Sequence, residues 1–176
     1  MAKATTTSQE TTTPTVSKHL SPEYATGVVK FLENVGILDP SIHSYNTKDY
    51  YSHLISGHLR ADHVQRGRIT CLLSVTPAVT NYFNGLHGGA VAAFAERVAI
   101  ACAKTVVGDD KEIFLGELSI SYLSSARQNE ELIVDGSVVR SGRNLTMVSI
   151  EFKVKETGKL VYTARATFYN FPVSKL

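Results

Sequence analysis

Residues 88–107 read GGAVAAFAERVAIACAKTVV, and this stretch decides the fold. Of its 20 positions, 17 are apolar or small and uncharged, the exceptions being Glu96, Arg97 and Lys104. A helix that is apolar on nearly all sides must be enclosed by other elements. The stretch therefore predicts a long central helix around which the rest of the domain packs.

Segments with the alternation of β-strands flank this helix. Two precede it, near 55–64 and 68–76, with a turn at Arg66-Gly67. Four follow it, at about 112–124, 130–140, 144–155 and 160–170. In segment 144–155, one face carries Thr146, Val148, Ile150, Phe152 and Val154, which is typical of an antiparallel sheet buried on one side. The predicted class is α+β, with one curved antiparallel sheet wrapped around the helix.

Composition excludes several classes of function. A length of 176 residues favours one domain, and a net charge of +2 provides no field that would steer nucleic acid. The chain has no apolar run of about 18 residues, so membrane insertion is not expected. Cys71 and Cys102 lack CxxC spacing, which argues against a zinc site or a disulfide framework and fits a reducing compartment. We expect neither a metal nor a cofactor.

Around the core, the chain has two tails and an N-terminal segment. Residues 1–20 are rich in threonine and are predicted to be disordered. Residues 21–53 are predicted to form a helix up to Gly36 and then a loop, and 54–171 form the main domain. Residues 172–176 are a tail ending in SKL, the tripeptide that a soluble receptor recognises as a peroxisomal matrix address. We therefore expect import into peroxisomes.

Glu96 is the most informative single residue. Its neighbours one helical turn away are alanines and an isoleucine, so no side chain on its own face can pair with it. One interpretation is that this part of the helix faces solvent, with Arg97 beside the acid. The other is a general base or nucleophile that partial desolvation makes more basic.

A polar, glycine-rich loop leads into the helix, running from Asn81 through His87 to Gly88-Gly89. Backbone N–H groups at the start of a helix have no acceptor within it, and glycines let a ligand oxygen approach them. Such a loop can hold an oxyanion. The alternative is a tight turn into the helix that His87 caps.

His87-Gly88-Gly89, an acid seven residues after Gly89 and Asn81 six residues before His87 together resemble the acyl-CoA thioesterases of the hotdog fold. The likeness covers about 55–170. It is to the branch of the phenylacetate-pathway and 4-hydroxybenzoyl-CoA thioesterases, which includes the mammalian thioesterase 13 type.

The resemblance implies that Asn81, His87, Gly88 and Glu96 are the catalytic residues. The Gly88 N–H would polarise the thioester carbonyl, Asn81 would orient the carbonyl or the attacking water, and Glu96 would activate water or attack directly. In such enzymes the acid comes from the partner subunit, which implies a homodimer or a homotetramer. Relatives also hold the water with a Ser or Thr; here Ile100 and Leu115 or Gly116 stand at those places, and Ser119 and Ser121 are possible substitutes.

The turn Arg140-Ser141-Gly142-Arg143-Asn144 is a second candidate site. Two guanidinium groups beside a glycine suit nucleotide phosphates, and the resemblance implies that coenzyme A binds at Arg140, Gly142 and Arg143. The alternative is an ordinary solvated hairpin.

These residues lead to one main hypothesis, a peroxisomal hydrolase that cleaves acyl-CoA to a free acid and CoA. A hotdog protein that binds acyl-CoA without catalysis is an alternative, because the usual hydroxyl is missing and Arg97 adjoins the acid. A hotdog enoyl-CoA hydratase or dehydratase is a further alternative. The sequence does not indicate which acyl group is bound.

Overall fold

The computed structural model describes Pro22, Thr26 and residues 50–108 and 110–173. The chain divides into two compact units, residues 1–50 and 51–176. In the first, Pro22 and Thr26 are helical, and the Thr26 hydroxyl donates to the Pro22 carbonyl at 2.8 Å. Most of the helix and loop predicted over 21–53, the threonine-rich segment 1–20 and the SKL tripeptide lie outside the described residues.

The second unit contains six strands and a long helix. In chain order its elements, after α1 (Tyr50–Ser56), are β1 (Leu59–Gln65), β2 (Arg68–Ser74), a 3₁₀ turn (Pro77–Val79), α2 (Gly88–Lys104), β3 (Lys111–Tyr122), β4 (Glu131–Ser141), β5 (Leu145–Val154) and β6 (Leu160–Pro172). The strands form one antiparallel sheet in the order β1-β2-β4-β5-β6-β3. The predicted architecture, a curved antiparallel sheet packed around a central helix, is confirmed.

Helix α2 lies against the inner face of the sheet and supplies much of the core. Phe94, Val91 and Cys102 on the helix and Phe152 and Phe168 on the sheet are fully buried. The alternation predicted for β5 is also confirmed, since its even-numbered residues are buried and its odd-numbered ones are half-buried. Burial of these apolar side chains holds the helix and the sheet together.

Two local predictions differ from the structure. The first strand was expected to begin near 55, but Tyr50–Ser56 is helical, with Ile55 buried in the core, and β1 begins at Leu59. Ile55 lies on the buried face of this helical turn. A short apolar run such as the one around Ile55 fits a helix or a strand equally well. The central helix ends at Lys104, three residues before Val107.

Strand β3 is one edge of the sheet, and a β-bulge interrupts its pairing with β6 between Leu115 and Glu117. A bulge adds a residue to one strand and so exchanges the faces of all residues beyond it. Before the bulge Ile113 and Leu115 face α2, and after it Leu118 and Ile120 do.

Candidate active site

The loop before α2 is built around the side chain of Asn81. Its Oδ1 accepts hydrogen bonds from the backbone N–H groups of Phe83 (2.9 Å) and Gly85 (3.1 Å). Asn84 adopts a left-handed φ of 58°, which asparagine tolerates well. The oxygen of Asn81 is therefore used by the loop itself, and its amide NH2 is the group left to contact a ligand.

His87 is the N-cap of α2. The Gly89 N–H donates to His87 Nδ1 at 3.0 Å, and the His87 carbonyl accepts the Val91 N–H at 3.0 Å, the first bond of the helix. Because Nδ1 accepts, the ring proton of this tautomer is on Nε2. The capping interpretation of His87 is confirmed.

The backbone N–H of Gly88 is left without an acceptor in the part of the chain that the structure describes. It is at the first helical position, where no carbonyl of the helix can reach it. On the other side of this residue the Tyr122 hydroxyl donates to the Gly88 carbonyl at 3.0 Å. The role of Tyr122 could not be predicted from the sequence, because a tyrosine at a strand end carries no signal for a contact 34 residues away.

Glu96 lies on a side of α2 that the rest of the chain covers only in part. It is half-buried and has no hydrogen bond or ion pair with any described residue. Arg97 does not pair with it, since the Arg97 guanidinium donates to Ser52 Oγ at 2.7 Å. Adjacent positions on a helix point in different directions, which explains why the two charges stay apart.

Within one chain, Gly88 and Glu96 are separated along the helix. Eight residues correspond to a rise of about 12 Å and a rotation of about 80° around the axis. The carbon and oxygen of a thioester carbonyl are only about 1.2 Å apart. The Gly88 N–H points out of the helix start, away from Glu96, so a carbonyl bound to it lies beyond the reach of the Glu96 side chain of the same chain.

The two serines considered for holding the water do not point towards the central helix. Ser119 and Ser121 are exposed on the face of the sheet away from α2, because the bulge at Gly116 exchanges the faces of β3. At Gly116 itself a Cβ would overlap the ring of Tyr169. Neither serine faces α2, so within one chain neither is placed to hold a water beside Glu96.

The basic turn connects β4 and β5, with Arg140, Gly142 and Arg143 all exposed. The Lys111 ammonium group, at the start of β3, donates to the Arg143 carbonyl at 3.1 Å. Tyr122, which contacts Gly88, is at the other end of this strand, about 36 Å of strand length away. The structure therefore brings Asn81, His87 and Gly88 together but not the basic turn of the same chain.

The cysteines are not candidates for the nucleophile. Cys102 is fully buried in α2, and burial raises the pKa of its thiol to about 11. Burial also raises the pKa of Cys71. Among the described residues, no three His, Cys, Asp or Glu side chains are grouped to hold a metal ion, and no helix there is long and apolar enough to cross a membrane.

Comparisons with known proteins agree with this geometry. The profile of the thioesterase superfamily matches residues 83–161, which include Gly88, Glu96 and the basic turn. Human acyl-coenzyme A thioesterase 13 is 26% identical over 101 residues, covering 57% of this chain and 71% of that protein.

Solved structures show the same fold. Zebra fish thioesterase superfamily member 2 superposes with a TM-score of 0.65 at 18% identity, covering 77% of this chain and 96% of that one. The protein smu.793 from Streptococcus mutans, solved bound to acetyl CoA, has a TM-score of 0.57 at 21% identity, covering 66% and 91%. The chain thus has the hotdog fold of these structures, and its residues 83–161 are similar to the thioesterase superfamily, a family of thioester hydrolases.

Proposed function

We propose that the protein hydrolyses an acyl-CoA thioester to a free acid and coenzyme A. Human acyl-coenzyme A thioesterase 13 and the acetyl CoA bound to the S. mutans protein support this substrate class. The observation that carries the proposal is the Gly88 N–H, which has no acceptor among the described residues. Such a donor stabilises the oxyanion that forms when a thioester carbonyl is attacked.

Each residue of the site has a distinct task in this reaction. The Gly88 N–H binds the carbonyl oxygen, and the free amide NH2 of Asn81 orients the carbonyl or the water. The Glu96 carboxylate acts at the carbonyl carbon, either by taking a proton from water or by direct attack. The carbon–sulfur bond then breaks, and the thiol of coenzyme A leaves.

The catalytic site combines two chains of a homodimer. The separation of Gly88 and Glu96 along one helix supports this, because a single chain cannot direct both groups at one carbonyl. Glu96 of one subunit therefore acts with Gly88 and Asn81 of the partner subunit. A two-fold axis produces two such sites per dimer.

Strand β3 is the surface through which the two copies pair. It is a 12-residue edge strand, and an edge of this length presents a row of backbone groups that another strand can satisfy. Antiparallel pairing of two copies of β3 brings the Lys111 end of one subunit next to the Tyr122 end of the other. The basic turn of one subunit then lies on the side of Gly88 of the partner subunit.

Coenzyme A is held by the basic turn. Arg140 and Arg143 supply exposed guanidinium groups for its phosphates, and Gly142 lets the backbone come close. The phosphate end and the reacting end of the substrate are thus bound by elements at opposite ends of β3. This arrangement agrees with a site shared between two subunits.

We propose that the protein is imported into the peroxisomal matrix, because the SKL tripeptide at 174–176 is the address that a soluble import receptor recognises. Light scattering of the purified protein distinguishes a homodimer from a homotetramer. A fluorescent fusion with a free C-terminus should colocalise with a peroxisomal marker, and deletion of Leu176 should disperse it. Diffuse fluorescence of the intact fusion would overturn this location.

Mixed dimers test the shared site directly. Glu96→Gln removes the carboxylate, and Gly88→Pro removes the N–H; each homodimer should release almost no thiol from acyl-CoA. A heterodimer isolated with two affinity tags has one site with both defects and one intact site, so about half of the wild-type activity should return. If each chain contained its own complete site, both sites would be defective and no activity would return.

Glu156→Gln is the matched control for loss of a carboxylate. Glu156 is exposed in the turn between β5 and β6, so this variant should retain wild-type hydrolysis.

A panel of short-chain, long-chain and aromatic acyl-CoA esters identifies the acyl group. Absence of thiol release from every ester by the wild-type protein would overturn the proposed function.

A further inference from the structure

Two polar side chains are buried beneath the basic turn. Of the residues that the structure describes, Thr146 (0% exposed) and Asn170 (6%) are the polar ones buried in the core. The Asn170 side-chain NH2 donates to the Thr146 hydroxyl at 3.0 Å, and the Thr146 and Ser141 hydroxyls are 3.1 Å apart. Burial of such groups is costly unless they are satisfied, and these are.

This pair fixes the carbonyl groups of the turn. The same NH2 of Asn170 donates to the Gly142 carbonyl at 3.0 Å, and the Asn170 backbone N–H donates to the Asn144 carbonyl at 2.9 Å. Lys111 binds the carbonyl between them, that of Arg143. Three consecutive carbonyls are thus bound by groups from β3 and β6.

A plain hairpin does not need this support. The Gly142 N–H already donates to the Leu145 carbonyl at 2.8 Å, which closes the connection between β4 and β5. An apolar pair at positions 146 and 170 would fill the same space without buried polar atoms. The buried pair therefore has a consequence beyond closing the hairpin, namely a fixed conformation for the residues that carry the guanidinium groups.

We propose that Asn170 and Thr146 are positioning residues that hold the basic turn ready to bind the phosphates of coenzyme A. The proposal rests on the proposed function, since it takes Arg140 and Arg143 as the phosphate ligands. A turn fixed before binding loses less conformational entropy when the ligand arrives. Phosphates far from the reacting carbonyl are bound equally in the ground and transition states, so a loosened turn raises KM and leaves kcat unchanged.

Asn170→Ala is the main test, and two substrates with the same acyl group separate positioning from general damage. One is the CoA thioester, and the other is the N-acetylcysteamine thioester, which has no phosphate. We expect KM for the CoA ester to rise about tenfold with kcat unchanged, while kcat/KM for the N-acetylcysteamine ester stays at the wild-type value. Equal losses on both esters, or no change in KM for the CoA ester, would overturn the proposal.

Thr146→Val is the second variant, because it keeps the shape of the side chain and removes only the hydroxyl. It should raise KM for the CoA ester by about threefold. Val134→Ala is the control for lost stability, since Val134 is buried in β4 about 23 Å of strand length from Ser141. It should leave KM for the CoA ester unchanged, and a rise equal to that of Asn170→Ala would contradict the proposal.

Binding of free coenzyme A, measured by calorimetry, requires no catalysis. Kd should rise about tenfold in Asn170→Ala. A protein that binds coenzyme A with this dependence but hydrolyses no ester would refute the proposed function and support the positioning role. An unchanged Kd would refute the positioning role and leave hydrolysis unaffected.

Discussion

Replacing Gly88 with proline removes a single hydrogen-bond donor from the site. The first helical position is the one that proline occupies most readily, because its N–H has no helical acceptor. The preceding residue, His87, has φ −63° and ψ 131°, an extended conformation that a following proline favours. A Cβ at Gly88 would lie 3.5 Å from the ring of Tyr122, an ordinary contact. The structure therefore accommodates this substitution.

The substitution should separate stability from activity. The Gly88 N–H has no acceptor among the described residues, so folding loses no hydrogen bond, and proline restricts the unfolded chain. We expect stability to be unchanged or to increase by about 0.4–1 kcal/mol. Loss of one oxyanion donor typically lowers kcat by about 10²- to 10³-fold, or about 2.7–4 kcal/mol of transition-state stabilisation.

The assay is thiol release from an acyl-CoA ester, with urea unfolding of the same samples. Gly88→Ala is the matched variant, since it adds the same Cβ and keeps the N–H. The ratio of kcat between the Ala and Pro variants isolates the contribution of the donor. A Pro variant that is folded and as fast as the Ala variant would refute the assignment of this N–H to the oxyanion.

Four further outcomes follow from the contacts described above. His87→Ala should lower the free energy of unfolding by about 1 kcal/mol, whereas the capping residue serine at this position should restore most of it; equal stability of both variants in urea would contradict the capping role. Asn81→Asp keeps the acceptor for the loop and loses the amide NH2, so Tm should hold while kcat/KM falls, and a lowered Tm would contradict this division of roles. Gly116→Ala should cost about 1–3 kcal/mol through contact with the Tyr169 ring, and the cost should vanish in a Tyr169→Ala background. Because the pKa of Cys102 is raised to about 11, two units above its ordinary value of 9.0, its thiolate fraction at pH 8 is about a hundredfold below that of an exposed cysteine, and a disulfide reagent should label it only after unfolding.

Much of the fold can be predicted from the sequence because its signals are local. The apolar run 88–107 predicts an enclosed helix whatever the rest of the chain does. Alternation along β5 indicates both a strand and its buried face. The loop from Asn81 to Gly89 likewise predicts a helix start with free N–H groups, since capping and turn formation involve residues only two to four positions apart.

The short segment near α1 and the faces of β3 could not be predicted in this way. A few apolar residues around Ile55 fit a helix or a strand equally well. In β3, counting alternate residues from Leu115 would turn Ser119 and Ser121 towards α2. The bulge at Gly116, over which the ring of Tyr169 lies, turns them outward.

By itself, then, the sequence determined the residues of the long helix, of the strands from β2 onward and of the helix-opening loop, because each depends on neighbours along the chain. Only the tertiary structure decided that Arg97 binds Ser52 rather than Glu96 and that Asn170 braces the basic turn. It also decided that Tyr122 reaches Gly88. These contacts join residues 28 to 45 positions apart, and their partners are selected by how the sheet closes around the helix, which no local pattern encodes.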